Sequence, residues 1–274
     1  MLNWEEVTRE YTIKPSDRIK KVTEPLNVHL NISCFFYIRI TLQGQLIWLG
    51  NRPDCAEYYV DQKHYVNDPC MNHPTHWESG CSLLEKAAPD IYQNTFLKES
   101  ENLFNFNSWI ILSKKELEFV ELFGFVGEKK SHLEKIYLNH IPLLKSFSTY
   151  FKKEMHLVIS KMSKESISLV DLKGDDYYPR SLTQPMISPE TCQTFLEDCG
   201  MKNQIRKATL LSKRERQCIQ ALLLGKTAKD TAADLNLSYR TIESYFENIK
   251  NKLSCQDKHE VLSFCRDLDN LGLF

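Results

Sequence analysis

Residues 211–253, LSKRERQCIQALLLGKTAKDTAADLNLSYRTIESYFENIKNKL, constrain the fold more than any other stretch of the chain. Helix-start signals recur in it. Ser212 is followed three residues on by Glu215, and Thr227 by Asp230. That is the spacing of a capping box, in which two side chains satisfy free amides of the first turn. Asp257 and Glu260 repeat it just beyond. These starts predict helices near 213–224, 228–235 and 258–268. Gly225 follows the first, where a positive φ closes a helix. Only a few residues separate Leu235 from Ser238, a link short enough for a helix-turn-helix.

A further helix over 239–253 sorts its residues cleanly. At about 100° per residue, Ile242, Tyr245, Phe246, Ile249 and Leu253 share one side. Arg240, Glu243, Ser244, Glu247 and Asn251 share the other. Side chains of those types can meet base edges or phosphates in a major groove. Periodicity alone fits an ordinary amphipathic surface helix equally well. The charge distribution adds to the case. The chain carries a net charge of −1. Residues 205–254 hold ten Lys or Arg against five Asp or Glu, which leaves −6 for the rest. A local basic excess on a neutral chain suits a discrete nucleic-acid-binding module.

At this point the stretch resembles the LuxR-type DNA-binding domain. The shared pattern is carried by Leu211, Ser212, Arg214, Glu215, Gly225, Thr227, Ala232, Leu235, Leu237, Ser238, Thr241, Ile242, Ile249, Lys252 and Leu253. Three positions depart from it. Thr231 replaces an aliphatic residue, Tyr245 a frequent His, and Glu243 a frequent Lys. The resemblance implies a dimer on double-stranded DNA, with two recognition helices about one turn apart. The residues expected at the DNA are Lys226, Thr227, Arg240, Thr241, Glu243, Ser244, Glu247, Lys250 and Asn251. By resemblance, Glu243, Ser244 and Glu247 hold the base-contacting positions.

At 274 residues the chain has room for two cores. No apolar run approaches the roughly 18 residues of a membrane helix. The start, MLNWEEVTREYTIKPSD, lacks the apolar centre of a signal peptide. Nine cysteines without a CxxC fit reduced thiols, and so a cytoplasmic protein.

Upstream, residues 16–30 read as a helix broken or kinked at Pro25. Residues 34–42 and 45–51 form a β-hairpin turning at Gln43-Gly44. Residues 54–65 are helical, and a polar, Pro- and His-rich loop covers 67–80. Residues 108–113 and 117–125 are two more strands. An amphipathic helix spans 131–165 and is kinked or split at Pro142. Gly174, Pro179, Pro185 and Pro189 mark a linker over 173–207 with a short helix at 189–198.

The expected fold is therefore an α+β sensory domain, an antiparallel sheet flanked by helices in a PAS- or GAF-like shape, over 1–175. A linker covers 176–207. An all-α four-helix helix-turn-helix domain covers 208–274.

A second resemblance touches residues 55–77. Tyr59, Asp68 and Pro69 match the spacing of the autoinducer-binding domain of LuxR-type quorum sensors. Tyr65 falls at an aromatic position, and Trp77 corresponds to a second Trp although it comes sooner than in that family. Cys55 takes the place of the first Trp, whose indole in that family donates to a lactone carbonyl. A thiol is a weaker donor and leaves more space. A small-molecule ligand would draw on Tyr59, Asp68, Trp77, Trp48 and Cys55. Taken alone, Asp68-Pro69 is a turn after a helix.

Other chemistries have less support. Cys70, His73, His76 and Cys81, with His64 nearby, are zinc-type ligands in an unusual spacing. No metal or other cofactor is expected, although a metal or thiol sensor stays open as an alternative. So does an interaction protein that sequesters another regulator, because Glu243 and Glu247 repel phosphate. There is no P-loop, GxSxG or HExxH, and no enzyme is expected.

Overall fold

The computed structural model describes residues 6, 10, 16–128, 131–165, 167–178, 189–223 and 225–270. They fall into two compact units, Met1–Thr183 and Gln184–Phe274.

The first unit opens with α1, Ser16–Leu30. Of the two outcomes expected at Pro25, the break does not occur: the helix runs on through it. Ile19, Val22 and Leu26, one turn apart on one face, are buried and hold the helix on the sheet. Then follow β1 (Ile32–Thr41), β2 (Gln45–Gly50) and α2 (Pro53–Asp61). Strand β3 (Gly80–Leu83) leads into three short helical pieces, α3 (Leu84–Ala87), α4 (Asp90–Tyr92) and α5 (Lys98–Phe104). A π-helical turn over Gln93–Leu97 joins the last two. The sequence reading passed over β3 and these helices. Strands β4 (Phe106–Lys115) and β5 (Phe119–Glu128) complete the expected second hairpin. The amphipathic stretch becomes α6 (Leu133–Glu154) and α7 (His156–Met162). His140 is non-helical, two residues before Pro142, so the expected kink is present. Strand β6 (Ile167–Ser168), α8 (Leu169–Lys173) and a 3₁₀ turn over Gly174–Tyr177 close the described part of the unit.

The strands form one antiparallel sheet in the order β3-β4-β5-β1-β2-β6. Alternation along the central strands gives each face its own task. Phe35 and Tyr37 of β1 face α6 with Phe123 and Phe125 of β5. The Phe35 ring lies 4.7 Å from Phe151 and 5.2 Å from Phe147 of α6. Phe36 and Ile38 face the other way, toward α2 and the helical pieces, where a cavity remains. Asn51 secures α1 to the sheet: its Oδ1 accepts from the Phe35 amide at 2.8 Å, and its Nδ2 donates to Thr23 at 3.1 Å.

The second unit is all helical where described. It holds α9 (Pro189–Asp198), α10 (Lys202–Thr209), α11 (Lys213–Leu223), α12 (Ala228–Leu235), α13 (Tyr239–Leu253) and α14 (Lys258–Asn270). The last four match the expected helix-turn-helix helices. Of the linker expectation, the helix at 189–198 is present, while Pro179 and Pro185 lie outside the described residues. A further helix, α10, occupies what was read as linker. Its Ile205 and Ala208 are buried, and the Lys207 ammonium donates to the Leu253 carbonyl and lies over the Phe264 ring.

One close approach in the sheet is testable. Gly124 sits opposite Phe36, and a Cβ there would lie 2.1 Å from the Phe36 ring. Gly124→Ala should cost about 1–3 kcal/mol in denaturant unfolding. In a double-mutant cycle with Phe36→Leu, that cost should shrink. Simply additive costs would show that the ring turns aside freely.

Candidate nucleic-acid interface and candidate ligand cavity

The helix-turn-helix is assembled from its capping residues. At α11, the Ser212 amide donates to Glu215 at 2.7 Å while the Glu215 amide donates to Ser212 Oγ at 3.3 Å. Gly225, at φ +77, reverses the chain after α11. Its amide bonds the Leu222 carbonyl and the Lys226 amide the Ala221 carbonyl, the paired bonds of a Schellman ending. Thr227 and Asp230 form a reciprocal capping box on α12. Ser238 caps α13 by accepting from the Thr241 amide at 3.0 Å. Asp257 caps α14, and Glu260 reaches back to the Gln256 amide.

Packing then fixes which side of α13 is presented. Ile242, Ile249 and Leu253 are buried against Cys218, Ile219, Leu222 and Cys265, with Tyr245 and Phe246 partly covered. Arg240, Glu243, Ser244, Glu247 and Asn251 are all exposed on the opposite side. Buried Thr231 satisfies its hydroxyl by donating to the Thr227 carbonyl at 2.9 Å, so the departure from an aliphatic residue leaves no orphan group.

Several of these residues already have partners. Lys226 pairs with Asp234. Lys250 pairs with Glu247 at 3.1 Å. The Tyr239 hydroxyl is hydrogen-bonded to Glu243, which raises its pKa. Thr241 shares a hydrogen bond with Ser238, and Ser244 donates to the Arg240 carbonyl at 3.1 Å. Lys252 is fastened to the buried Glu215 at 2.7 Å, so it steadies α13 on α11. Arg240 makes no ion pair or side-chain hydrogen bond among the described residues.

In the first unit, the cavity lies between the sheet and the segment 52–109, with a volume of about 50 Å³. Trp48, Cys55, Tyr59 and Asp68 line it, as do Phe36, Arg52, Tyr92, Phe96 and Trp109. Trp77, expected here, is not in the lining. Its indole N–H is buried without a partner among the described residues. The polar, Pro- and His-rich stretch 67–80, expected as a loop, is partly regular. It folds into tight 3₁₀ turns at Pro69–Met71 and Pro74–His76, with Asp68, Cys70, Met71 and His73 buried.

Asp68 organises this wall. Its Oδ2 accepts from the Tyr59 hydroxyl at 2.6 Å, and its Oδ1 from the Cys70 amide at 2.7 Å. Tyr92 also hydrogen-bonds it, and the Lys173 ammonium stands near. Burial pushes the Asp68 carboxyl above its ordinary pKa, and these partners only offset part of that rise. Lys173 itself is held below the usual lysine range by burial, while its ammonium donates to the Met71 carbonyl at 3.2 Å.

No group of three His, Cys, Asp or Glu able to hold a metal occurs among the described residues. Cys70, His73, His76 and Cys81, weighed as zinc-type ligands, form no such group among the described residues. His73 spends its ring nitrogens on Thr75 and the Leu42 carbonyl. Burial pushes the Cys70 thiol well up and Cys81 to about 11, which leaves little thiolate for sensing chemistry.

Sequence comparison bears on the second unit. Residues 209–265 match the bacterial regulatory proteins of the luxR family. The C-terminal unit thus carries a LuxR-family helix-turn-helix domain. The chain is 32% identical over 65 residues to the uncharacterized transcriptional regulatory protein YvfU of Bacillus subtilis (strain 168), covering 24% of this chain and 32% of YvfU. It is 28% identical over 61 residues to the spore germination protein GerE of the same organism, covering 22% of this chain and 82% of GerE. The chain therefore spans about a third of the length of the first of these relatives. Among solved structures, Escherichia coli SdiA aligns at 14% identity and TM-score 0.34, over 100% of this chain and 92% of that one. A complex of SdiA with octanoyl-rac-glycerol aligns at 15% identity and TM-score 0.30, over 97% and 88%. Likeness this loose leaves the account of the first unit to its own geometry.

The Glu215–Lys252 pair predicts a pH response. Burial alone would raise the Glu215 pKa, but the Lys252 ammonium and the Ser212 amide and hydroxyl outweigh it and hold it low. A depressed carboxyl stabilises the fold at pH above its unfolded value and loses that contribution as pH falls through the folded one. The unfolding midpoint of the helix-turn-helix should therefore drop as pH falls below the ordinary glutamate range, and Glu215→Gln should flatten the drop. An unchanged profile in the variant would remove this pair from the account.

Proposed function

We propose that this chain is a cytoplasmic, bacterial-type transcription regulator. Its C-terminal unit binds double-stranded DNA as one half of a homodimer, and its N-terminal unit takes a small molecule that biases DNA binding. The observation that carries the DNA reading is the exposed polar face of α13, set by capping and packing in a LuxR-family domain. Among the described residues no helix is long and apolar enough to cross a membrane.

The face divides its labour. Arg240 at the start of α13 is placed for a phosphate, with Lys226 and Thr227 at the start of α12. Glu243, Ser244 and Glu247 read bases, with Thr241, Lys250 and Asn251 on the flanks. A carboxylate accepts from cytosine N4 and cannot pair with guanine O6 or N7. Tyr239 and Lys250 hold the two acids and temper their repulsion from phosphate.

In the first unit, Asp68 and Tyr59 mark the polar end of a ligand site whose walls include Trp48 and Cys55. A cavity of about 50 Å³ has roughly a third of the space of one that accepts benzene, about 150 Å³. The site therefore suits a compact ligand better than a long acyl chain, and any ligand must displace lining side chains.

Binding-site selection on the full chain tests the DNA reading. Half-sites should carry a cytosine or an adenine amino group opposite Glu243. Glu243→Ala should lose about 1–3 kcal/mol of discrimination at one base pair. Arg240→Ala and Lys226→Ala should weaken binding to all sequences and lower the salt slope by about one each. If the wild type selects no sequence while the variant carrying E243K and E247K does, the acids act to forbid DNA. The chain would then be a partner-sequestering protein.

A further inference from the structure

We propose that the cavity takes a ligand bearing a carboxylate, and that the Arg52 guanidinium receives it. This rests on reading the cavity as a small-molecule site. Among the described lining residues Arg52 alone is cationic. Its Nε and Nη2 donate to Asp54 at 2.9 and 2.7 Å. The guanidinium carbon stands 5.0 Å from the Phe106 ring centroid and 5.7 Å from that of Phe104. A carboxylate on one edge and two aromatic rings thus fix the plane of the group before any ligand arrives.

Guanidinium has five N–H donors, and Asp54 uses one edge. Nη1 has no hydrogen-bond partner among the described residues, and the Nη1–Nη2 edge is the one left for a second carboxylate. A planar fork of this kind matches carboxylate geometry. The neighbours do not compete for it. Cys34 and Cys55 lie close enough to feel the charge, yet burial holds both thiols protonated, with Cys55 pushed up to about 12. Cys55, in the first turn of α2, lines the cavity beside Arg52.

The other charged lining group is Asp68, whose surroundings are Tyr59, Tyr92, Cys70 and Lys173 rather than Arg52. The cavity is thus polar at two separate places with opposite preferences. Asp68 rejects an anion and favours a donor. Arg52 favours an anion. Phe36, Trp48, Phe96 and Trp109 make much of the remaining lining. The ligand class that satisfies all three is a compact, largely apolar or aromatic acid with a hydrogen-bond donor at its far end.

Arg52 and Asp54 also make a local ion pair at the start of α2, and a purely structural role is the rival to be separated. The test is calorimetric titration of the full chain with 4-hydroxybenzoate, phenylacetate and hexanoate, each beside its neutral amide. At least one acid should bind roughly tenfold or more tighter than its amide, the effect of one charge-assisted contact. Arg52→Gln should erase that preference while amide binding persists. Asp54→Asn should act in the opposite sense and tighten the acid, because it removes the competing carboxylate. A structural pair predicts that both substitutions weaken binding alike, so that result overturns the proposal. Asp54→Asn keeps the test decisive if Arg52→Gln loosens α2. Amides binding as well as acids would overturn the carboxylate assignment and leave the small-molecule reading standing. If no acid and no amide binds, both fall.

Discussion

A carboxylate taken out of water costs several kcal/mol unless its lone pairs are filled. Asp68 is only 5% exposed, and much of the first unit is arranged around that demand. Tyr59 comes from α2, Tyr92 from α4, the Cys70 amide from a 3₁₀ turn, and Lys173 from the end of α8. The turn that carries Asp68 thus meets three other segments at one group. Their meeting makes the wall of the cavity and holds α8 against the loop that carries Asp68. A ligand that exchanged hydrogen bonds with Asp68 would act on groups that also hold the segment leading out of the unit. Such coupling requires a difference in ligand affinity between two arrangements of those contacts.

The sheet supplies the surface on which this happens. Strands β1 and β5 are central, paired on both sides, and buried on both faces. One face is sealed by the aromatic contacts of Phe35, Tyr37, Phe147 and Phe151 with α6. Within that seal sits Glu121, which accepts from Tyr37 and from Lys152, both at 2.7 Å. With one face closed so firmly, the looser face toward α2 is where space remains. Gly124 lets the Phe36 ring lie against the sheet there and so shapes the floor of the cavity.

In the second unit a comparable economy links motif residues to one another. Glu215 closes the cap on α11 and also pairs with Lys252 near the end of α13. Two positions that the family pattern separates by more than thirty residues therefore form one contact. Docking of α10 through Lys207 and Phe264 extends the unit upstream of the residues that match the family.

The sequence by itself determined what depends on neighbours along the chain. Capping pairs three residues apart, a glycine where φ must be positive, and a 3.6-residue apolar period are local events. From them the helix-turn-helix, its exposed face and the two hairpins could be read directly. The helix over 16–30 was legible too, and burial of Ile19, Val22 and Leu26 carries it past Pro25 without a break. Tertiary structure alone decided which polar residues would be buried together. Nothing local says that Asp68 meets Tyr92 and Lys173, or that Trp77 stays out of the cavity lining. It also decided that Arg52, unremarked in the sequence, would be paired with Asp54 and lie among the residues lining a cavity. Desolvation and pairing of charge are set by three-dimensional surroundings, and those exist only once distant segments have packed.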